Sequence, residues 1–162
     1  MSATISAGML REGPYGSAWF AHRDHEGRLT GIEMRGPDYR GFGRGGEKTL
    51  FRLPGRLRTS TVLVKRLVVA EAPIDAMSVA AIEHLRAGTL YTATAGAMGP
   101  GTIAAMERQL WTLATEEGGE LAIATDNDRP GHGYADRLAD MASALDLKVT
   151  PAASGRWSER LE

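Results

Sequence analysis

Three carboxylates that follow short apolar runs are the residues of this sequence best placed to do chemistry. Glu71 follows the run at 67–70, and Asp126 and Asp128 follow the run at 121–125. Each run has the length of a strand and precedes a helical pattern, which is typical of neighbouring strands in a parallel sheet. Ligands bind at the carboxyl edge of such sheets, so we expect the three acids to converge there. Carboxylates at such short distances repel one another unless a divalent cation lies among them. The sequence therefore predicts a Mg²⁺ site, with Mn²⁺ as the alternative ion.

The DxD motif at 126–128 has three other interpretations. A calcium-binding EF-hand loop would need an oxygen ligand at its fifth position and glutamate at its twelfth, where this sequence has Pro130 and Arg137. A phosphoryl-aspartate enzyme of the DxDxT type would need threonine or valine where Pro130 stands. Spacing therefore excludes both. The third interpretation, in which one aspartate caps the helix expected near Gly131, stays open, but it does not account for the second aspartate or the distant glutamate.

Alternating strand and helix patterns in the second half of the sequence must position these acids. The expected strands cover 67–70, 89–94, 121–125 and 147–150, and the expected helices cover 73–86, 101–117 and 131–145. This alternation predicts an α/β fold in which a four-stranded parallel sheet is flanked by helices and joined by right-handed crossovers. A glycine-rich turn at 95–101 would let the backbone approach a ligand at the same edge.

The first half of the sequence has a different, β-rich pattern. Strand patterns at 17–24 and 28–35 flank a turn in which Gly27 is expected to take positive φ, so a hairpin is predicted. His22 and His25 are expected near its solvated tip. No spacing typical of a metal site involves the other histidines of the chain.

A glycine-rich segment at 36–46 follows the hairpin. It matches the dinucleotide-binding pattern GxGxxG by letter, but no apolar strand precedes it, and 47–54 has a strand pattern where that motif needs a helix. The segment is expected to be a flexible basic loop whose interleaved basic and aromatic residues suit single-stranded nucleic acid, although an ordinary solvated loop is the alternative. The residues concerned are Arg35, Tyr39, Arg40, Phe42, Arg44, Lys48 and Arg52.

Two domains are predicted from these patterns. A small basic β-rich lobe is expected over 1–60, with an irregular lead-in over 1–14, and an α/β domain over 61–162. Charge is distributed in the same way: 1–66 contains 12 Lys+Arg and 6 Asp+Glu, a net charge of +6, whereas 67–162 contains 7 and 14, a net charge of −7. This asymmetry favours a phosphate-binding surface beside a metal-binding one, although two balanced solvated faces would give the same counts.

Composition excludes several other kinds of site. The sequence contains no cysteine, which excludes disulfides and thiolate zinc sites. No apolar run approaches the roughly 20 residues of a membrane span, and the first ten residues lack the pattern of a signal peptide. A cytoplasmic location without membrane association is therefore expected.

Taken together, these motifs resemble the Toprim domain shared by bacterial primases, topoisomerases and some nucleases. The resemblance covers about 62–149 and rests on Glu71 at a strand end before Pro-Ile-Asp, on the glycine-bearing turn, and on the DxD motif at 126–128. The hairpin residues at 20–33 resemble the segment that precedes Toprim in bacterial replicative primases of the DnaG type. The whole chain is similar to Toprim-like segments of plasmid and phage proteins that act in priming or conjugative transfer.

The resemblance implies a primase-like catalytic core that acts in DNA replication, by Mg²⁺-dependent nucleotidyl transfer on single-stranded DNA. It implies that Glu71 is an acid/base or metal-associated glutamate, that Asp126 and Asp128 are Mg²⁺ ligands, and that Asp75 is a supporting acid. Single-stranded DNA and nucleotides are the implied partners, together with helicase or relaxase modules. The residues expected to bind nucleic acid or phosphate are Arg23, Arg35, Arg44 and Lys48.

Two alternatives to a primase-like core stay open. The same carboxylates would suit a Mg²⁺-dependent nuclease or nicking enzyme. A non-catalytic nucleic-acid-binding module of a mobile-element protein is favoured by a departure near the end of the chain. There Arg156 and Trp157 stand where the family has an aspartate, and only Glu159 would substitute for it.

Overall fold

One mixed β-sheet organises the protein. The computed structural model describes residues 8–56 and 63–152. In these ranges the strands are β1 Leu10–Glu12, β2 Ala18–Arg23, β3 Leu29–Arg35, β4 Arg40–Phe42, β5 Leu50–Pro54, β6 Arg66–Ala70, β7 Thr89–Ala93, β8 Glu120–Ala124 and β9 Lys148–Pro151. The helices of the same ranges are α1 Pro73–Ile82, α2 Pro100–Ala114 and α3 Arg129–Ser143. The spatial order is β4-β3-β2-β5-β7-β6-β8-β9, with β1 paired to β2.

The second half of the chain forms the predicted parallel sheet. Strand β6 pairs in parallel with β7 and with β8, and β8 pairs in parallel with β9. Alternate side chains of β6 enter opposite cores: Val68 and Ala70 pack on the side of α1, whereas Leu67 and Val69 pack on the side of α2 and α3. Helices cover both faces, which explains why this strand is apolar at every position from Leu67 to Ala70. The predicted α/β fold with a four-stranded parallel sheet is confirmed.

The β-rich first half extends the same sheet. Strand β5 lies antiparallel to β7, with Phe51 opposite Ala93, and β2 lies antiparallel to β5. The predicted hairpin is present, with Gly27 at φ +82° in the turn between β2 and β3. Hydrogen bonds between strands therefore connect both halves of the chain. The predicted domain boundary near 60 falls in a segment outside the described residues and stays a prediction.

Two short strands and one helix end differ from the sequence-based expectation. Strand β1 lies within the expected irregular lead-in, and β4 lies within the expected flexible glycine-rich loop. Each has three residues, so its pairing comes from a neighbouring strand and not from a periodic pattern of its own. Helix α1 ends at Ile82 instead of Arg86 because His84 and Leu85 adopt positive φ, at 52° and 54°.

No helix of the described ranges is both long enough and apolar enough to cross a bilayer. The altered acidic element near the end of the sequence lies in 153–162, outside the described residues.

A buried polar network ties the sheet together at its other edge, away from the acids. The Arg66 guanidinium donates two hydrogen bonds to Glu83, at 2.7 and 2.9 Å, and both side chains are less than a tenth exposed. The Tyr91 hydroxyl donates to Glu83 Oε2 at 2.8 Å and accepts from the Arg86 N–H at 3.0 Å. Burial, followed by the hydrogen bond to the Glu83 carboxylate, raises the pKa of Tyr91 to about 12. The network therefore connects β6, the end of α1 and β7.

Removing the Tyr91 hydroxyl tests the contribution of this network to stability. We expect Tyr91→Phe to lower the free energy of unfolding by about 1–2 kcal/mol, because the Arg86 N–H loses its acceptor and Glu83 loses a donor. Urea denaturation would measure the change. Tyr15→Phe is the matched control, since Tyr15 is 98% exposed and should change nothing measurable. Equal effects of the two substitutions would contradict a structural role for the buried hydroxyl.

Candidate active site

Two of the predicted acids meet at the carboxyl edge of the parallel sheet. Glu71 directly follows β6, and Asp126 lies two residues beyond β8. The two strands are adjacent and in register, with Ala70 opposite Ala124, so the loops that leave them meet. The Asp126 backbone N–H donates a hydrogen bond to Glu71 Oε1 at 2.9 Å. Residues 55 positions apart in sequence are thus held together by a direct contact.

The second aspartate has a structural role in addition to its predicted one. Asp128 is the N-cap of α3, and its Oδ1 accepts a hydrogen bond from the Gly131 N–H at 2.8 Å. Gly131 itself packs against the loop. A Cβ atom on this residue would lie 1.9 Å from the Asp126 carbonyl oxygen and 2.9 Å from Glu71 Oε1. Only glycine fits between the helix and the two acids.

A fourth acid, Asp75, lies half-buried in the first turn of α1. Burial raises the pKa of Glu71, and the negative charges of Asp126, Asp128 and Asp75 raise it further, while the hydrogen bond from the Asp126 N–H opposes the shift. Burial also raises the pKa of Asp75, with a contribution from the charge of Asp126. The charges of the other three predicted acids therefore all act on Glu71.

The chemistry of these acids suits a hard divalent cation. Their donors are carboxylate oxygens, and within residues 8–56 and 63–152 no salt bridge engages any of the four. Among the same residues, no three His, Cys, Asp or Glu side chains are grouped closely enough to hold a metal ion. The arrangement is thus a set of converging carboxylates and not an assembled coordination sphere.

The predicted phosphate-binding lysine lies at the same edge. Lys48 Nζ donates to the Ala97 carbonyl at 2.9 Å, in the glycine-rich turn that follows β7. The Lys48 carbonyl in turn accepts from Thr102 Oγ1 on α2 at 2.9 Å. Burial lowers the pKa of Lys48, and the nearby charge of Glu33 partly opposes this. The lysine is therefore fixed to the loop that borders the acids.

Arg35 also lies on the side of the acids. It pairs in register with Arg40 across β3 and β4, and the positive charges of both arginines oppose the rise in the pKa of Asp75. Arg40 was recognised in the sequence only as part of a basic loop. Its place opposite Arg35 depends on β4, a strand with no sequence pattern of its own.

The other two basic residues expected to bind phosphate lie elsewhere. Arg23 is opposite Leu50, whose side chain enters the core on the side of α2 and α3. The Arg23 guanidinium donates to the Gly27 carbonyl at 2.8 Å and lines a groove beside α2 that also includes the exposed Trp111. Arg44 is exposed in the turn after β4. The structure does not bring Arg23 to the acids.

The prediction that both hairpin histidines are solvated is wrong for one of them. His25 lies at the tip and its side chain is 46% exposed. His22 is fully buried, because its position in β2 directs the ring to the face on which Glu33 and Phe42 also lie. The sequence contains no signal for this burial, since the strand neighbours that cover the ring are distant in the chain.

The raised pKa of Asp75 predicts a pH-dependent contribution to stability. Because its folded-state pKa lies above the unfolded value, the folded protein holds the proton more tightly. The stability that this tighter proton binding contributes is fully present below the unfolded pKa of the Asp75 carboxyl and is lost as pH rises through the folded pKa. We therefore expect the unfolding free energy of Asp75→Asn, minus that of the original protein, to increase as pH rises from 3 to 7. Urea denaturation of both proteins across this range measures the difference, and a constant or declining difference would contradict the shift.

Comparison with known families identifies the class of protein. A family model described as Toprim-like matches residues 68–154, more than half of the chain. The chain therefore belongs to the Toprim-like family, as the sequence motifs predicted. A second family model, described as a protein of unknown function (DUF3991), matches residues 1–55. A search of curated proteins finds no match.

Solved structures with a similar fold include primases. The primase fragment of the bacteriophage T7 primase-helicase protein superposes with a TM-score of 0.54 at 17% identity, over 94% of this chain and 60% of that one. A second match is a chain in the structure of bacteriophage T7 lagging-strand DNA polymerase interacting with primase domains of two gp4 subunits. It gives a TM-score of 0.50 at 18% identity, over 95% of this chain and 74% of that one. The chain thus spans 60% of the length of the phage primase fragment. At these identities the likeness establishes the fold alone.

Proposed function

We propose that the protein is a primase-like Toprim catalytic core, which transfers nucleotides on single-stranded DNA with Mg²⁺. The observation that carries this proposal is the contact between Glu71 Oε1 and the Asp126 N–H, which gathers carboxylates from two adjacent strands at one edge. Basic groups accompany these acids: Lys48 contacts the turn after β7, and the positive charge of Arg35 acts on Asp75. An acidic centre beside basic groups suits a metal-bound triphosphate.

In this proposal the acids divide into two roles. Glu71, Asp126 and Asp128 would hold the divalent cation, and Asp75 would support them from the first turn of α1. Once bound, Mg²⁺ supplies charge neutralisation of the triphosphate and of the transition state. The raised pKa of Glu71 also suits a group that accepts a proton from the attacking hydroxyl.

The basic residues are proposed to bind phosphate at two places. Lys48 and Arg35 would contact the nucleotide beside the acids, because Lys48 is bound to the turn after β7 and the charge of Arg35 acts on Asp75. Arg44 and Arg23 lie further away and would contact the single-stranded template instead. A cytoplasmic location, and helicase or relaxase modules as partners, belong to the same proposal as sequence-based predictions.

A second candidate is a non-catalytic nucleic-acid-binding module. The absence of a ready-made three-ligand group among residues 8–56 and 63–152 favours it. It predicts that DNA binding survives Glu71→Ala and that no turnover occurs with any metal. Hydrolysis by the same acids would give a nuclease.

One set of assays distinguishes these functions. The protein is incubated with a labelled single-stranded template, ribonucleotides and Mg²⁺, and in parallel with labelled single and double strands and Mg²⁺ alone. Extension products that need both nucleotides and Mg²⁺ would support the primase-like function. Shortened strands without nucleotides would instead identify a nuclease, and binding without either product would identify the non-catalytic module.

A further inference from the structure

A buried polar pair lies beneath the basic side of the site. His22 is 0% exposed and Glu33 is 4% exposed. His22 Nε2 lies 4.0 Å from Glu33 Oε2, and the imidazole ring packs edge-on against Phe42 with ring centroids 5.1 Å apart. Neither ring nitrogen of His22 nor Oε2 of Glu33 has a hydrogen-bond partner among the described residues.

Stability of the sheet does not explain this pair. Burying polar groups without hydrogen bonds costs free energy, whereas apolar side chains of similar volume would fill the space without that cost. The neighbouring positions on the same face are apolar, with Phe20 opposite Glu33 and Phe51 opposite His22. A different physical role is therefore required for the two polar groups.

Glu33 links this buried pair to the predicted phosphate-binding residues. Its Oε1 accepts a hydrogen bond from Arg35 Nε at 2.7 Å, and the Arg35 side chain is only 23% exposed. The negative charge of Glu33 also acts on Lys48, which contacts the turn after β7. One buried carboxylate thus contacts Arg35 directly, and its charge acts on Lys48.

The contact with Glu33 engages only one nitrogen of the Arg35 guanidinium. Glu33 engages Nε, whereas the buried Nη2 donates to none of the described residues. Arg35 and its register partner Arg40 lie on the side of α1, where their charges act on Asp75. Glu33 therefore does not engage the terminal nitrogens of Arg35, and a planar guanidinium binds phosphate in bidentate fashion.

We propose that Glu33, supported by the buried His22, is a positioning residue that orients Arg35 to bind the phosphate groups of a nucleoside triphosphate beside the carboxylates. This inference rests on the proposed function for the identity of the anion. Glu33 acts through Arg35 and does not itself touch the nucleotide. Its removal should therefore weaken nucleotide binding only while Arg35 is present.

A double-mutant cycle on nucleotide affinity tests this dependence. The probe is ATP with Mg²⁺, and its Kd is measured by isothermal titration calorimetry. We expect Glu33→Gln to weaken ATP binding roughly 10-fold and Arg35→Gln roughly 30-fold, the range of a charged hydrogen bond. In the Arg35→Gln background, Glu33→Gln should cause less than about a 2-fold further change. Independent, multiplying losses would overturn the positioning role.

Variants at the histidine and on the other face complete the test. His22→Phe fills the same space without the polar group that lies 4.0 Å from Glu33 Oε2, and it should weaken ATP binding roughly 3- to 10-fold. His22→Gln keeps a polar group there and should retain much of the affinity. Arg28→Gln is the matched control, because Arg28 Nε also donates to a carboxylate at 2.7 Å, that of Asp24 at the hairpin tip. This variant should bind ATP as the original protein does.

The outcomes separate this inference from the proposed function. Unchanged ATP affinity in folded Glu33→Gln and His22→Phe, with thermal unfolding as the check on folding, would overturn the inference alone. The expected pattern of ATP affinities without any nucleotide incorporation would support the inference and refute the primase-like reaction. Absence of ATP binding by the original protein would overturn both.

Discussion

Replacing Asp126 with asparagine is expected to lower the proposed Mg²⁺-dependent nucleotide incorporation roughly 1000-fold, because a metal held by this carboxylate would contribute several kcal/mol to the transition state. The substitution keeps the backbone N–H that donates to Glu71 Oε1, so the loop geometry should be preserved. It removes one of the charges that raise the pKa of Glu71. The loss should therefore be catalytic, with an unchanged or slightly higher melting temperature. Primer-synthesis rates, together with Mn²⁺ affinity from calorimetry, would measure it.

Asp136→Asn is the control for this substitution. Asp136 is exposed on α3, well beyond the capped first turn, and its replacement removes the same charge from the helix that follows the Asp126 loop. We expect incorporation and Mn²⁺ affinity to stay within about 2-fold of the original values, as for most surface substitutions. Incorporation by Asp126→Asn at the rate of Asp136→Asn would refute the assignment of Asp126 as a metal ligand.

Gly131→Ala is expected to damage both the fold and the site. The added Cβ would lie 1.9 Å from the Asp126 carbonyl oxygen, a backbone atom that cannot rotate away, and 2.9 Å from Glu71 Oε1. The start of α3 and the Asp126 loop must separate to relieve this overlap. We expect the free energy of unfolding to fall by about 3 kcal/mol and turnover to fall roughly 100-fold, since displacing reacting groups by about 1 Å has that effect.

Gly133→Ala provides a matched comparison on the same helix. A Cβ at Gly133 would meet no atom within 4 Å. Alanine favours the helical conformation over glycine, so this variant should be up to about 1 kcal/mol more stable, with normal turnover. Urea denaturation and the incorporation assay on both variants would test the contrast. Equal stability of the two variants would contradict the close packing of Gly131, at the start of α3, against the Asp126 loop.

Asp126→Asn tests the charge at the carboxyl edge of the parallel sheet, and Gly131→Ala tests the close packing at the same edge. The acids repel one another there, whereas hydrogen bonds of 2.7, 2.9 and 2.8 Å join the Arg66–Glu83–Tyr91 network at the other edge. A folded protein with mutually repelling carboxylates at one edge holds them in place through the rest of its structure. The stability of the rest of the fold therefore offsets the unfavourable repulsion between these carboxylates, as is common where strained or repelling groups bind a ligand.

Much of the fold followed from local sequence patterns. Short apolar runs alternating with helical periodicity predicted the parallel strands, and Gly27 predicted the hairpin turn. The approach of Glu71 to Asp126 also followed, since parallel neighbours end at the same edge. The end of α1 did not, because the left-handed conformation of His84 and Leu85 has no strong signal in their residue types.

The sequence by itself determined the order of strands and helices, and the placement of the acids at strand ends, because both depend on periodicity along the chain. Only the tertiary structure decided which cations reach those acids. The charge of Arg35 acts on Asp75, Arg23 lies on the opposite face of the sheet, and His22 is buried against Phe42. These outcomes depend on which strands pair, and in what register, and a strand of three residues such as β4 carries too little pattern to specify its own partner.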